Sequence, residues 1–319
     1  MASAGCAVVF ENELRVIERP RPIPAEDEVL IRLRRGGICN TDHELMRGYK
    51  HFSGTLGHEF VGEVIEGPAE WLGRRVVGEI NISCGICDMC HGGIPTQCRE
   101  RRVLGILNYD GAFADVFRLS QRNLWPVPDS IPDDCAVFTE PLAAACQILE
   151  MAHLRPADRV VLIGAGKLGL LAAQVVRLTG VDFSVVVRHD TQAARLKNWG
   201  IQPVPRSAVS DGSADVVIDC TGTAGGFADA LDMVRPRGSI MLKSTYHDLP
   251  QADLTRVVTQ EIHLIGSRCG PFGAALRLLE QGLVDVASLI EAHYPLSEAV
   301  RAFEHAARPG ALKVLLTPG

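Results

Sequence analysis

Two segments of the chain offer ligands of the kind that hold a divalent metal. Gly57-His58-Glu59-Phe60-Val61-Gly62 sets an imidazole beside a carboxylate between glycines, and Cys39, in Gly36-Gly37-Ile38-Cys39-Asn40-Thr41-Asp42-His43, adds a thiolate 19 residues upstream of the histidine. Thiolate, imidazole and carboxylate are the donors Zn²⁺ accepts. A packed core cysteine and a loop histidine would look the same in sequence, so the pair needs support from the rest of the chain.

Cys84, Cys87, Cys90 and Cys98 form a C-x2-C-x2-C-x7-C array. Four thiolates this close make a closed tetrahedral zinc site, which has no open position for substrate and therefore stabilises a loop. An iron–sulfur cluster uses similar spacing, and a disulfide pair is the third possibility, disfavoured in a reducing compartment. Further on, Arg159 to Ile163 reads as a strand running into Gly164-Ala165-Gly166-Lys167-Leu168-Gly169, a G-x-G-x-x-G turn that opens a helix. Gly164 permits the tight turn, Gly166 lets the backbone approach a pyrophosphate, and Gly169 lets the helix pack on the strand, with the helix start at Lys167 and Leu168 facing the phosphates.

These motifs need a scaffold, and the chain alternates in two styles. From Cys6 to Leu119 short β-rich runs (7–10, 28–33, 61–65, 75–78) separated by Gly and Pro predict a mostly antiparallel β domain. After Pro126-Val127-Pro128-Asp129, strand-then-helix units take over, which predicts a parallel sheet covered on both faces. Its strands are expected at 159–163, 183–187, 216–220, 239–243 and 262–266, with a short one at 202–204, and its helices at 167–179, 191–199 and 274–281, each followed by glycine. The fold class is thus α/β. A closing strand at 312–316 is expected to return to the first domain, giving domains at 1–140, 141–282 and 283–319.

With 319 residues, 47% hydrophobic and 22% charged, the composition is that of a soluble globular protein with two cores. A net charge of −6 argues against a nucleic-acid partner. The most apolar run, Val160 to Val176, is broken by Lys167 and glycines, so no membrane span is expected. The first residues lack a basic and then apolar leader, which points to the cytoplasm. Of the ten cysteines, Cys6, Cys135, Cys146, Cys220 and Cys269 share no spacing and read as buried small hydrophobes. Tyr49, Phe52, Leu107 and Tyr109 are candidates to line a substrate pocket.

Taken together and in this order, Gly-Ile-Cys39-x-Thr41-Asp42, Gly57-His58-Glu59-x-x-Gly62, the four-cysteine array, Glu140-Pro141-Leu142 and the glycine turn resemble the zinc-dependent alcohol dehydrogenases of the medium-chain dehydrogenase/reductase superfamily. The branch with polyol, sugar and threonine dehydrogenases is the nearest in motif. The resemblance implies a GroES-like catalytic domain and a Rossmann domain, two zinc ions per chain, a nicotinamide cofactor, an alcohol or carbonyl substrate, and a homodimer or homotetramer. It places Cys39, His58 and Glu140 around the catalytic zinc, with Glu59 a direct or exchangeable ligand and Asp42 orienting His58. On its own, Glu140 reads rather as a carboxylate favoured by the dipole at a helix start, and only the resemblance brings it to the zinc. Thr41 would pass the alcohol proton on, and Glu44 stands where the family often has the histidine that ends this relay, with His43 just before it. The competing functions are a zinc-free reductase of activated double bonds and a non-catalytic zinc and dinucleotide sensor.

The second strand of the parallel sheet decides the cofactor. An NAD enzyme ends it in Asp or Glu, which bonds the ribose 2′-hydroxyl. Here the strand ends at Val187, followed by Arg188 and His189, which favours the 2′-phosphate of NADP. Asp190 keeps NAD open but reads better as the cap of a helix starting near Thr191.

Overall fold

The computed structural model describes residues 4–246 and 250–319. Met1, Ala2 and Ser3, where a leader would begin, lie outside the described residues. The chain forms two compact units, Met1–Glu140 with Phe272–Gly319, and Pro141–Pro271. Helix Phe272–Glu280 clusters with the first unit.

The first unit is built on a seven-stranded sheet. Its order is Leu124–Pro126, Arg75–Gly78, Phe60–Glu66, Glu28–Gly37, Lys313–Thr317 and Ile290–Pro295, with Val116–Ser120 also pairing to Glu28–Gly37. The C-terminal strand enters the middle of this sheet, with Leu315 opposite Gly37. A second sheet of three strands joins Leu14–Pro20, Ala4–Phe10 and Gly54–Thr55. The long strand Glu28–Gly37 carries the core residues Val29, Leu30, Ile31 and Leu33, all essentially buried, and this burial anchors the unit.

Glycines set the spacing where strands approach the site. Gly57 has φ +101°, and a Cβ on it would lie 2.3 Å from the Phe113 ring, so the turn before His58 admits no side chain. At Gly37 a Cβ would come within 2.6 Å of a Glu59 carboxylate oxygen.

The second unit is one fully parallel sheet in the order Gln202–Val204, Asp182–Val186, Arg159–Ile163, Ala214–Asp219, Val234–Leu242 and His263–Gly266. Numbered along the chain this is 3-2-1-4-5-6, the doubly wound order whose direction reverses between the first and fourth strands. Val160 to Leu162 are fully buried there, as expected of a strand covered on both faces. Among the described residues, no helix is long and apolar enough to cross a membrane.

Candidate active site

Cys39 ends the strand side of the first turn and precedes helix Asn40–Met46, in an extended conformation. The Asp42 carboxylate reaches back to accept the Cys39 backbone N–H at 2.9 Å, which fixes the thiol at the head of the helix. The other Asp42 oxygen lies 3.3 Å from Nδ1 of His58, and both side chains are buried. Burial by itself would push the His58 imidazole down, but the charge and hydrogen bond of Asp42 together with those of Cys39 outweigh it and hold His58 well above the ordinary histidine range.

The Cys39 sulfur, a His58 ring nitrogen and a Glu59 carboxylate oxygen lie within 4.8 Å of one another. Glu59 is 1% exposed, and its two oxygens differ. Oε2 is ion-paired with the buried ammonium of Lys313, whereas Oε1 is buried with no hydrogen-bond partner among the described residues. A buried carboxylate oxygen without a donor is costly, and a cation beside the thiol and imidazole would satisfy it. The donor set therefore fits zinc.

Lys313 is the residue that sequence reasoning missed. Its Nζ also donates to the Ile38 carbonyl at 3.4 Å and lies 5.7 Å from the Phe138 ring centroid. Burial would lower this ammonium, but the charges of Glu59 and Cys39 hold it above the usual lysine range. The available signal was a lone cation in the apolar run Lys313-Val314-Leu315-Leu316. The absence of a Cβ on Gly37 leaves room for the Glu59 carboxylate that Lys313 holds.

Thr41 lies on the same helix, with its hydroxyl 3.7 Å from the Cys39 thiol. Glu44 is farther along it, partly exposed and paired with Arg47 at 2.8 Å. His43 turns inward and packs edge-on against Phe303, ring centroids 5.5 Å apart. Glu140 is not in the group of three ligands; it lies in the first turn of helix Thr139–Met151, and its charge reaches Lys313. Of the pocket candidates, Tyr109 is engaged elsewhere: its hydroxyl donates to Glu28 at 2.6 Å.

The four-cysteine array closes on itself. Sulfur separations of 3.5 Å (Cys87–Cys90), 3.8 Å (Cys87–Cys98) and 3.5 Å (Cys84–Cys98) match the edge of a tetrahedron with Zn–S bonds of about 2.3 Å. All four cysteines are free of disulfides. The backbone N–H groups of Arg99 and Cys90 donate to the Cys87 sulfur and lower its pKa to about 6, and those of Ile86 and Cys87 lower Cys84. The backbone thus favours the thiolate at Cys84 and Cys87, whereas burial and the neighbouring Cys87 thiol push Cys90 up to about 11. The remaining cysteines depart from expectation, since only Cys146 is fully buried while Cys6, Cys135, Cys220 and Cys269 are partly exposed.

In the second unit the glycine turn has the shape a dinucleotide needs. Gly164 has φ +96°, and a Cβ on Gly169 would meet the Gly164 carbonyl at 1.8 Å, so both are required by the fold itself. A Cβ on Gly166 would meet nothing within 4 Å. Open space over Gly166, at the start of helix Lys167–Arg177 with no side-chain cap, is a cradle for a phosphate group. At the second strand, Val187 continues the backbone ladder, donating to Val204 at 3.1 Å. Arg188 and His189 are exposed beyond it, and no hydrogen bond or ion pair engages Arg188 among the described residues. The next helix runs Asp190–Asn198 with His189 at its cap position, so Asp190 is its first residue rather than its cap.

Comparison with known proteins agrees with this geometry. Residues 25–129 match the family model for the alcohol dehydrogenase GroES-like domain, and residues 168–281 match the model for zinc-binding dehydrogenase. The chain is 32% identical to a sorbitol dehydrogenase of Halalkalibacterium halodurans, over 95% of both chains. It is 34% identical to an L-threonine 3-dehydrogenase of Xanthomonas axonopodis pv. citri, over 70% of this chain and 71% of the relative. Among solved structures, a zinc-binding dehydrogenase of Sinorhizobium meliloti bound to NADP superposes with a TM-score of 0.90 at 27% identity, covering 99% of this chain and 100% of that one. An Escherichia coli alcohol dehydrogenase in complex with NADH superposes with a TM-score of 0.89 at 26% identity, covering 99% of each chain. The chain belongs to the zinc-dependent, alcohol dehydrogenase-like medium-chain dehydrogenases/reductases, and is an oxidoreductase of that family.

Proposed function

We propose that the protein interconverts a secondary alcohol, polyol or sugar and its carbonyl, with NADP as cofactor and two zinc ions per chain. The observation that carries this reading is the convergence of Cys39 with the buried His58 and Glu59, whose Oε1 has no hydrogen-bond partner among the described residues. When bound, zinc would supply Lewis acidity toward the alcohol, and the nicotinamide would take the hydride. Cys39, His58 and Glu59 would hold the catalytic ion, with Glu140 as a further ligand, and Cys84, Cys87, Cys90 and Cys98 the structural one. Gly164, Gly166, Lys167, Leu168 and Gly169 would hold the pyrophosphate.

The chain's own residues then divide the remaining work. Asp42 fixes both the Cys39 backbone and the His58 ring, so the two ligands are oriented by one buried carboxylate. Thr41, beside the Cys39 sulfur, would take the alcohol proton while passing its own hydroxyl proton onward. Glu44, partly exposed on the same helix, delivers it to solvent. Lys313 anchors one Glu59 oxygen and leaves the other to act as a ligand.

The sorbitol and threonine dehydrogenase relatives support a small hydroxylated substrate. The ligand set weighs against a zinc-free reductase. A homo-oligomer is supported by the edge strand His263–Gly266, with Leu264 40% exposed, and by helix Leu254–Thr259, whose Leu254 and Val258 are 62% and 75% exposed. The exposed Arg188, free to bind a 2′-phosphate, supports NADP.

Two experiments test the reading. Turnover across a panel of polyols and secondary alcohols should be seen with metal-loaded protein, and its absence with every member would leave the sensor reading. In Arg188→Ala, kcat/KM should fall at least tenfold with NADP and stay level with NAD; a wild-type preference for NAD would reject the cofactor assignment.

A further inference from the structure

A crevice of about 580 Å³ in the first unit shares no residue with the metal cluster, the four-cysteine lobe or the glycine turn. Residues of both sheets line it. Ala7, Ile65, Ala114 and Phe117 give it apolar walls, and four arginines, Arg19, Arg21, Arg32 and Arg118, line it as well. Asp110 and Asp115 also line it, but each spends an oxygen on backbone: Asp110 accepts from the Thr55 N–H at 2.8 Å and Asp115 from the Cys6 N–H at 2.7 Å.

Each guanidinium has a carboxylate neighbour, which holds it in place without exhausting its donors. Arg19 reaches Asp110 at 3.2 Å, Arg21 reaches Glu66 at 2.7 Å, and Arg118 reaches Glu28 at 3.2 Å. Arg32 is the most loosely held, 57% exposed and 3.9 Å from Glu63. The Nε of Arg21 is buried and has no acceptor among the described residues. An arginine side chain has several N–H donors, so one carboxylate contact leaves most of its hydrogen-bonding capacity for a second acceptor. The size of the crevice is that of a small-molecule site.

We propose that this crevice binds a small organic anion, its carboxylate or phosphate head taken by the arginines and its apolar body lying on Ala7, Ala114 and Phe117. Arginine suits this task because its planar fork matches both kinds of oxyanion, and pre-positioned guanidiniums lose little freedom on binding.

The test is a fluorescence titration of the full chain with 8-anilinonaphthalene-1-sulfonate, an apolar body with a fixed negative head. NAD and NADP are both kept in excess so that the dinucleotide turn is filled. One saturable site is expected, weakened at least tenfold in Arg21→Gln/Arg32→Gln and unchanged in Arg301→Gln, an exposed arginine paired with Glu298 outside the crevice. Arg32→Gln alone, which removes only a loose contact, should give a smaller loss in the same direction with an unchanged melting temperature. Competition then separates the head groups: displacement by phenyl phosphate assigns a phosphate, by phenylacetate a carboxylate, and by both a general oxyanion site. Identical titrations in wild type and the double variant, or no displacement by either competitor, would overturn the proposal.

Discussion

The two sulfur-bearing clusters of the first unit are built on opposite principles. In the lobe, four identical donors at 3.5–3.8 Å close on one another near the surface, with Ile86 beside them 79% exposed. In the other cluster three unlike donors meet, with His58 and Glu59 buried and compensated by Asp42 and Lys313. The difference teaches that ligand count alone does not assign a role. A uniform, self-complete set needs only backbone N–H groups to support it and can only hold the chain together. An incomplete set inside the protein must be balanced by buried counter-charges, and that incompleteness leaves room for chemistry.

The largest effect that could break this contrast is on turnover. Cys39→Ser should lower kcat by a factor of roughly a thousand or more, since it removes a Lewis-acid ligand, while the melting temperature moves little. Retained activity would mean that this cluster is not catalytic. Cys90→Ser should do the reverse. A structural metal contributes its binding energy to folding, and each kcal/mol is worth about 2–4 °C in a domain of this size, so a loss of roughly 10 °C or more is expected by calorimetry.

The buried pair comes next. Lys313→Met leaves the Glu59 carboxylate buried without its cation, which costs about 3–5 kcal/mol. The double variant Glu59→Gln/Lys313→Met removes both charges and should recover most of that loss in a denaturation midpoint. A double variant no more stable than the single one would show that the pair is not coupled.

The lobe supplies the counterpart with the smallest effect. Arg99 grips Asp88 through two bonds of 2.9 and 2.6 Å, yet both side chains are more than half exposed. Solvent and salt screen such a pair, so Asp88→Asn should barely move the melting temperature. Arg99 holds the Asp88 carboxyl below its usual range. What it does contribute is therefore present above the unfolded carboxylate pKa of about 3.9 and lost as pH falls below it. A large loss at neutral pH in this variant would contradict the contrast between exposed and buried pairs.

Much of this was legible in the sequence because the informative residues are local. Arg159–Ile163, Arg75–Gly78 and Gln202–Val204 are strands with the bounds expected, and Cys84 to Cys98 could be grouped by spacing alone. The contact between Lys313 and Glu59 was not legible, since 254 residues separate them and only the return of the last strand beside Gly37 joins them. Strand Val234–Leu242 begins five residues before its expected start at 239, but the pairing with the neighbouring strand jumps from Ala214–Val234 to Val216–Ser239, so Pro236 and Gly238 lie in a bulge where Arg237 has φ +60°. Tyr109 is a related case: a tyrosine in a loop suggests a pocket, and nothing nearby in sequence reveals its bond to Glu28.

The most direct test of the division of roles is zinc content measured together with turnover in wild type, Cys39→Ser and Cys90→Ser. The account predicts two zinc ions per chain in the wild type. It predicts one in Cys39→Ser, with turnover lost and the melting temperature kept, and a lowered melting temperature with loss of the lobe's ion in Cys90→Ser. Full activity in Cys39→Ser, or equal loss of stability in the two variants, would contradict it.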